Sequence, residues 1–416
     1  MITRIGIIGA GKLGSPMAAA LASKGFEVLV CDVDQTKVDA INNGEAPVQE
    51  TGLQSLITAH RNSIRATTDI GEAVRFADVT FVVTATPSSP DGRFSLEYIL
   101  PVCEQIGRTL GKPVGKAAFH PVVITSTVMP GDTWGSIRET LEKYSHRKCG
   151  ESFGLAYNPE FIALGSVIHD FLNPDFVLLG ASDPLTEARV SSVYEKISDA
   201  PIARMSIQNA EVTKLAVNNF LCMKISYGNM LARICHNIPG ADCDVVSEAI
   251  GLDSRIGKKL LKGGTSYGGP CLPRDTRAMA TLGQSLPLVI DAFNRAQTIY
   301  LADVVQRTYK GVTAIIGASY KPGTTEQTES AGLRLYQELV ARREEGDSGP
   351  QLLGISQNPE TVWDQYQTVV MMLPDARYKE LNYSGKTVID PWRFLKHLAD
   401  DPTIRYIPLG LGPKQD

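Results

Sequence analysis

The sequence predicts an α/β protein: a large doubly wound sheet first, then a helical middle, then a smaller α/β domain, over 416 residues. Three observations lead there. Short apolar runs alternate with amphipathic segments through the first half, one long stretch lacks helix breakers, and the alternation resumes near the end.

Taken in order, Ile5–Ile8, Val28–Cys31, Val79–Thr84, Val122–Thr125 and Phe176–Leu179 read as strands, with Lys12–Ser23 and Gln35–Asn42 as helices between them. This βαβ rhythm predicts a parallel sheet covered on both faces. From Gln208 to about Asn237 the only proline or glycine is Gly228, which predicts one long helix of the kind that spans a domain or dimer interface. Further helical sequence follows, interrupted by the glycine cluster Gly263–Gly269. Val312–Ile316, Thr368–Met372 and Thr387–Ile389 are strands, Ser330–Ala341 a helix, and Arg343–Pro350 a polar loop. The expected domains are residues 1–203, 204–308 (the dimerisation region) and 309–416.

Hydrophobic residues make up 43% and charged residues 21%, an ordinary composition for a soluble globular protein. A net charge of −4 leaves no basic footprint for nucleic acid. No apolar run reaches the roughly 18 residues that a membrane helix needs. The opening residues pass straight into a glycine-rich turn, leaving no room for a signal peptide, so a cytoplasmic protein without nucleic-acid or membrane partners is expected. Seven cysteines contain no C-x-x-C pair, which argues for free thiols. Cys235-His236 is the only Cys–His adjacency and has no further ligands near it, so no metal is expected.

Gly9-Ala10-Gly11-Lys12-Leu13-Gly14 fits G-x-G-x-x-G directly after a strand and opens a helix. In this motif the first glycine permits the turn, the second lets a pyrophosphate approach the backbone, and the third lets helix and strand pack closely. The helix N-terminus then offers N–H groups to the phosphates. Asp32 ends the second strand, 18 residues beyond Gly14, where a carboxylate accepts hydrogen bonds from the adenosine ribose. No arginine follows it, so the expected cofactor is NAD rather than NADP, on a Rossmann-type first domain.

Two segments carry candidate chemistry. In Glu211-Val212-Thr213-Lys214-Leu215-Ala216-Val217-Asn218, Lys214 and Asn218 are four residues apart on one helix face. Both can donate to an oxygen gaining negative charge. The same segment also fits a solvated face with an ordinary Glu211–Lys214 pair. The second segment, Gly263 to Asp275, sets Cys271 between glycines and prolines with Arg274 and Asp275 close by. A flexible loop then presents Cys271, and the cation favours its thiolate. Beside a nicotinamide, such a cysteine implies aldehyde oxidation through a thiohemiacetal and a thioester. The other six cysteines read as small buried hydrophobes.

Together these segments resemble the UDP-glucose and GDP-mannose 6-dehydrogenase family. The likeness rests on Gly9–Gly14 with Asp32, Thr84-Ala85-Thr86-Pro87, Ser126-Thr127-Val128-Met129-Pro130-Gly131 and Asn158-Pro159-Glu160-Phe161. It continues in Asp170-Phe171-Leu172-Asn173-Pro174, the Lys214/Asn218 helix, Ser254-Arg255-Ile256-Gly257, the Cys271 loop and Tyr320-Lys321-Pro322. The resemblance implies a four-electron oxidation of a nucleotide sugar C6 alcohol to a carboxylate, a uronic acid, using two NAD. By resemblance Cys271 is the nucleophile, Lys214 and Asn218 stabilise the oxyanion, Asp275 supports acid–base steps, and Thr127 and Glu160 position water. Gly9, Gly11, Lys12, Leu13, Gly14, Asp32, Lys37, Thr86 and Thr127 would meet the cofactor. Phe161, Ile162, Lys214, Arg255, Tyr267, Gly268 and Lys321 would meet the substrate. Arg255 would reach the substrate of a neighbouring subunit, which implies a homodimer built around the long helix.

Three departures stand out. The family's second acid after Glu160 is Leu164 here, the arginine of its T-D-D-x-R-x-S-P motif is Thr328 and the proline Ala331, and its D-x-R becomes Asp390-Pro391-Trp392-Arg393. These leave the reaction class intact and put the substrate's identity in question, with Lys321, Arg334 and Arg393 as the cations left to hold a diphosphate. Two other readings compete. A two-electron 3-hydroxyacid dehydrogenase of the 6-phosphogluconate type needs neither the cysteine nor a second α/β domain. A non-catalytic nucleotide-sugar-binding relative would have no use for Cys271, Lys214, Asn218 and Asp275.

Overall fold

The computed structural model describes residues 2–112, 119–343, 350–353 and 363–413, and divides into two compact units, Met1–Leu215 and Ala216–Asp416. Residues 344–349 of the expected polar loop lie outside the described residues.

The first unit is built on eight strands. They are β1 (Arg4–Ile8), β2 (Glu27–Cys31), β3 (Ile64–Thr67), β4 (Val79–Val82), β5 (His120–Ile124), β6 (Phe153–Tyr157), β7 (Val177–Ala181) and β8 (Ile202–Met205). Their order is β3-β2-β1-β4-β5-β6-β7-β8, which reverses direction between β1 and β4. Ligands of such sheets sit beyond the strand C-termini at that reversal. The expected parallel sheet holds with one correction: β7 runs antiparallel to β6, Ala156 facing Ala181. The chain leaves β6 through the Asn158–Phe161 motif, which keeps that motif at the C-terminal end of the strand.

Side chains alternate between the two faces as the pleat requires. Ile5, Ile7, Val28, Val30, Val79 and Phe81 enter one core, and Ile8, Leu29, Cys31, Val82, Val122 and Ile124 the other. Covering them are α1 (Gly14–Ser23), α2 (Gln35–Asn43), α3 (Leu53–Ala59), α4 (Ile70–Phe76), α5 (Ile99–Leu110), α6 (Arg138–Ser145), α7 (Val167–Leu172) and α8 (Pro184–Ile197). Short acids start several of these helices. Asp34, Asp69 and Asp183 accept from the amides of Thr36, Gly71 and Thr186 at 3.0, 2.7 and 2.9 Å, and Pro184 fills the first turn of α8. Helix α9 (Ile207–His236) is the predicted long helix. It can start against β7 because residue 180 is glycine, where a Cβ would lie 2.7 Å from the Ile207 Cα.

The second unit takes most of α9, then α10 (Cys243–Ile250), α11 (Leu272–Ala280), α12 (Ser285–Thr308) and α13 (Ala331–Ala341). Its parallel sheet comprises β9 (Thr313–Ile316), β10 (Pro350–Leu353), β11 (Thr368–Met371), β12 (Thr387–Asp390) and β13 (Arg405–Pro408), in the order β10-β9-β11-β12-β13. Ile315, Val370 and Ile389 face one core, and Ile316, Val369, Met371 and Val388 the other. Among the described residues no helix is long and apolar enough to cross a membrane.

One buried polar pair in the first sheet makes stability depend on pH. His120 of β5 lies 2.9 Å from the Thr80 hydroxyl of β4. Burial pushes His120 down from 6.5 to about 4, with Arg189 adding to the effect and Asp78 opposing it. Folded His120 stays neutral while unfolded His120 gains a proton below about 6.5, so the unfolded chain binds more protons in that window. Stability therefore falls as pH drops from 6.5 to about 4, by up to about 3 kcal/mol from this group. Denaturant unfolding of wild type and His120→Gln across that range should show the wild type losing its advantage on acidification. A constant difference would contradict the assignment.

Candidate active site

The turn after β1 assigns each glycine a separate task. Gly9 takes a φ of +117°, and a Cβ there would lie 2.4 Å from the Val83 carbonyl oxygen. A Cβ on Gly14 would lie 1.9 Å from the Gly9 carbonyl oxygen. Both positions need glycine for conformation or close packing. A Cβ on Gly11, by contrast, meets nothing within 4 Å. In this motif, open space at the second glycine is what lets a pyrophosphate approach the backbone. Lys12 is exposed and Leu13 half-buried between them.

Asp32 stands beside this turn, accepting from the amides of Ala10 (2.6 Å) and Asp34 (2.9 Å). Lys37 Nζ lies 3.5 Å from Asp32 and 3.9 Å from Asp34, so its charge is balanced by two carboxylates. A fixed carboxylate here suits a ribose hydroxyl and repels a 2′-phosphate. The residues present fit NAD, and NAD is the cofactor.

The loops following β4 and β5 join through the Thr86 hydroxyl, which donates to the Thr127 carbonyl (2.7 Å), and the Ser126 hydroxyl, which donates to the Thr84 carbonyl (2.7 Å). Helix α9 holds the second loop. The Glu211 carboxylate accepts from the amides of Gly131 (2.7 Å) and Thr133 (2.8 Å). Burial pushes the Glu211 carboxyl up against the pull of these bonds. This corrects the solvated-face reading: Glu211 and Lys214 are both buried, and Glu211 is spent on a loop.

Lys214 instead donates to the carbonyl of Glu160 (2.7 Å) and lies 4.5 Å from the Phe161 ring centroid. Phe161 in turn packs on Phe176, and Ile162 is half-buried. The Glu160 side chain meets the Tyr194 phenol at 2.9 Å, and Tyr194 also bonds the amide oxygen of Asn158. Burial pushes Glu160 up to about 7, against Tyr194 and Lys214, and raises the Tyr194 phenol further. Tyr194 is a site neighbour that sequence reasoning missed, because it is 34 residues from Glu160 and sits among ordinary helix positions.

In the second unit, the Asn218 amide donates to Asp275 at 2.6 Å, both groups being buried. Arg274 reaches the other Asp275 oxygen through two nitrogens at 3.2 Å. Arg274, the cation expected to favour the Cys271 thiolate, thus also pairs with Asp275. Cys271 is exposed at the N-cap of α11, at the positive end of that helix. The other six cysteines are free, five of them buried and Cys149 half-buried.

The expectation of a flexible loop before Cys271 is also corrected. Asn229 accepts from the Gly264 amide (2.7 Å) and donates to the Thr265 carbonyl (3.0 Å). Gln297 donates to the Gly264 carbonyl (2.7 Å), and Asn294 bonds both the amide (2.8 Å) and carbonyl (2.9 Å) of Tyr267. Buried amides from two helices thus pin the loop. A Cβ on Gly268 would lie 2.2 Å from the Glu329 carbonyl oxygen, so glycine there admits the 328–329 segment.

The departing positions have structural partners. Arg393 is buried and spends its guanidinium on Asp244 and on the carbonyls of Gly263, Pro391 and Leu409, which removes it as a phosphate ligand. Arg277 and Arg334 converge on Glu329, next to Thr328. Arg255 is exposed and paired with Asp253 (2.6 Å), and Lys321 lies on the Tyr320 ring.

Residues 3–198 match the NAD binding domain of the UDP-glucose/GDP-mannose dehydrogenase family, and residues 208–299 match its central domain. The chain is 34% identical over 366 residues to the UDP-glucose 6-dehydrogenase AglM of Haloferax volcanii, covering 84% of this chain and 82% of that one. It is 33% identical over 349 residues to the GDP-mannose 6-dehydrogenase of Pseudomonas putida, covering 82% and 78%. The solved UDP-glucose dehydrogenase of the archaeon Pyrobaculum islandicum aligns with a TM-score of 0.86 at 27% identity, over 99% of this chain and 98% of that one.

The glycine geometry separates binding from folding. Gly14→Ala should cost about 2 kcal/mol or more in stability, because the clash is with backbone. Gly11→Ala should leave the melting temperature near wild type while weakening NAD at least about tenfold, a loss of roughly 1.4 kcal/mol. Equal stability of the two variants would contradict these roles.

Proposed function

We propose, from the premise that this chain belongs to the UDP-glucose/GDP-mannose dehydrogenase family, that it is an NAD-dependent 6-dehydrogenase of a nucleotide sugar, carrying a C6 alcohol through to a carboxylate. The observation that carries this reading is the exposed Cys271 at the start of α11, with Asp275 one turn on and held by Asn218. A two-electron hydroxyacid dehydrogenase has no use for a thiol presented this way.

NAD, when bound, supplies the oxidant for both stages. The chain's own residues do the rest. The Cys271 thiolate adds to the aldehyde carbon to give a thiohemiacetal, whose oxidation gives a thioester. Water then breaks the C–S bond, releasing the acid and returning the sulfur as thiolate. Lys214 and Asn218 donate to the oxygen that gains charge at each stage, Asp275 orients Asn218, and Thr127 and Glu160 place the water. Phe161, Ile162, Tyr267, Gly268 and Lys321 line the substrate. In this division of labour residues 1–203 bind NAD, 204–308 carry the thiol and lysine, and 309–416 cover the nucleotide. The enzyme acts in the cytoplasm as a homodimer with Arg255 reaching across. Phe220, Tyr227 and Ile234, exposed at seven-residue spacing on α9, support a second copy seated there.

The substrate departs from the family's common ones. Thr328 removes a phosphate-binding arginine, Arg334 and Arg277 are drawn to Glu329, and Leu164 replaces an acid near the sugar. UDP-glucose is therefore a poor substrate, and a less hydroxylated or N-acylated sugar nucleotide a better one.

A panel of nucleotide sugars assayed for NADH, with product mass analysis, tests both statements. The best substrate should give two NADH and one acid per molecule, and Cys271→Ser should lose on the order of 10³-fold or more in kcat. One NADH per molecule would overturn the four-electron reading. UDP-glucose turning over at about 10⁴ M⁻¹s⁻¹ or above, unsurpassed by any other sugar nucleotide, would overturn the substrate reading alone.

A further inference from the structure

We infer that Tyr194 is a positioning residue that keeps a proton on the Glu160 carboxyl in the resting protein, through a one-way hydrogen-bond chain from Glu160 to Tyr194 to Asn158. The direction follows from counting protons. The amide nitrogen of Asn158 lies 2.8 Å from the Leu178 carbonyl, which can only accept. The nitrogen must therefore face Leu178, and the Asn158 oxygen must face Tyr194. An amide oxygen also only accepts, so the single phenolic proton of Tyr194 is committed to it. The phenol oxygen nevertheless lies 2.9 Å from Glu160 Oε1. The proton in that second bond has one remaining source, the Glu160 carboxyl itself. A carboxylate there would face lone pairs with lone pairs.

The surroundings agree. Lys214 is the cation facing Glu160, and it donates a hydrogen bond to the Glu160 carbonyl. Burial outweighs that charge and lifts the group to about 7. To ionise Glu160 and stabilise it, Tyr194 must turn its proton away from Asn158, leaving a buried amide oxygen unpaired. Asn158 thus governs the Glu160 carboxyl through Tyr194.

The consequence for catalysis rests on the reading above, in which Glu160 places the hydrolytic water: Glu160 can accept a proton from that water only after releasing its own. The inference itself concerns the resting protein and is tested without turnover. Infrared difference spectra of the NAD-free, full-length protein should contain a protonated-carboxyl carbonyl band that fades as pH rises through about 7 and is missing from Glu160→Gln. In Asn158→Ala the freed Tyr194 hydroxyl donates a hydrogen bond to the Glu160 carboxylate, and the band should fade about one pH unit lower, the worth of one hydrogen bond to a charged group. In Tyr194→Phe the band should move to higher frequency, because the carboxyl has lost its acceptor. If Asn158→Ala does not fold, the Tyr194→Phe shift decides. No Glu160-dependent band below neutral pH, an unmoved midpoint in folded Asn158→Ala, or an unmoved band in Tyr194→Phe would overturn the inference. NADH stoichiometry would be unaffected by that failure, so the two readings fail separately.

Discussion

Helix α9 carries polar side chains into places where water cannot satisfy them, and the functional loops depend on this constraint. A buried donor or acceptor left unpaired costs about 1–3 kcal/mol, more when charged. Each polar group on the buried face must therefore find a backbone or side-chain partner, and the partners are the loops. In the first unit Glu211 takes the amides of Gly131 and Thr133, and Lys214 takes the carbonyl of Glu160. In the second unit Asn218 takes Asp275, and Asn229 takes Gly264 and Thr265. These loops are thus held by the same bonds that make the helix tolerable to bury.

Loop geometry of this kind is set in advance of any ligand. Donors fixed before substrate arrives need no reorganisation as charge develops. The loop ahead of Cys271 illustrates it: its glycines suggest mobility, yet Asn229, Asn294 and Gln297 occupy its backbone groups. The glycines serve close approach instead, as at Gly268 against Glu329.

Much of this was legible in the residues. The strand–glycine turn–helix–acid series located the Gly9–Gly14 turn after β1 and Asp32 at the end of β2, because that pattern is local and Gly9 and Gly14 each have a steric reason. The long helix was legible for the same cause, an absence of breakers over thirty residues ending at His236. What was not legible were partnerships between distant segments. Glu211 looked like half of a surface pair with Lys214, yet bonds a loop about eighty residues earlier. Arg393 looked like a phosphate ligand and closes a buried network around Asp244. Tyr194 gave no signal at all. Periodicity reports which face is buried, and cannot say what the buried group meets.

The central claim is that Cys271 bonds covalently to the sugar carbon during oxidation. Acid-quenching the Glu160→Gln variant during turnover of its best nucleotide sugar, then mapping peptides by mass, tests it most directly. The account predicts that the Cys271 peptide gains the mass of the acylated sugar nucleotide, because hydrolysis is slowed while acylation proceeds. An unmodified Cys271 peptide under conditions where NADH has formed in the first turnover would contradict it.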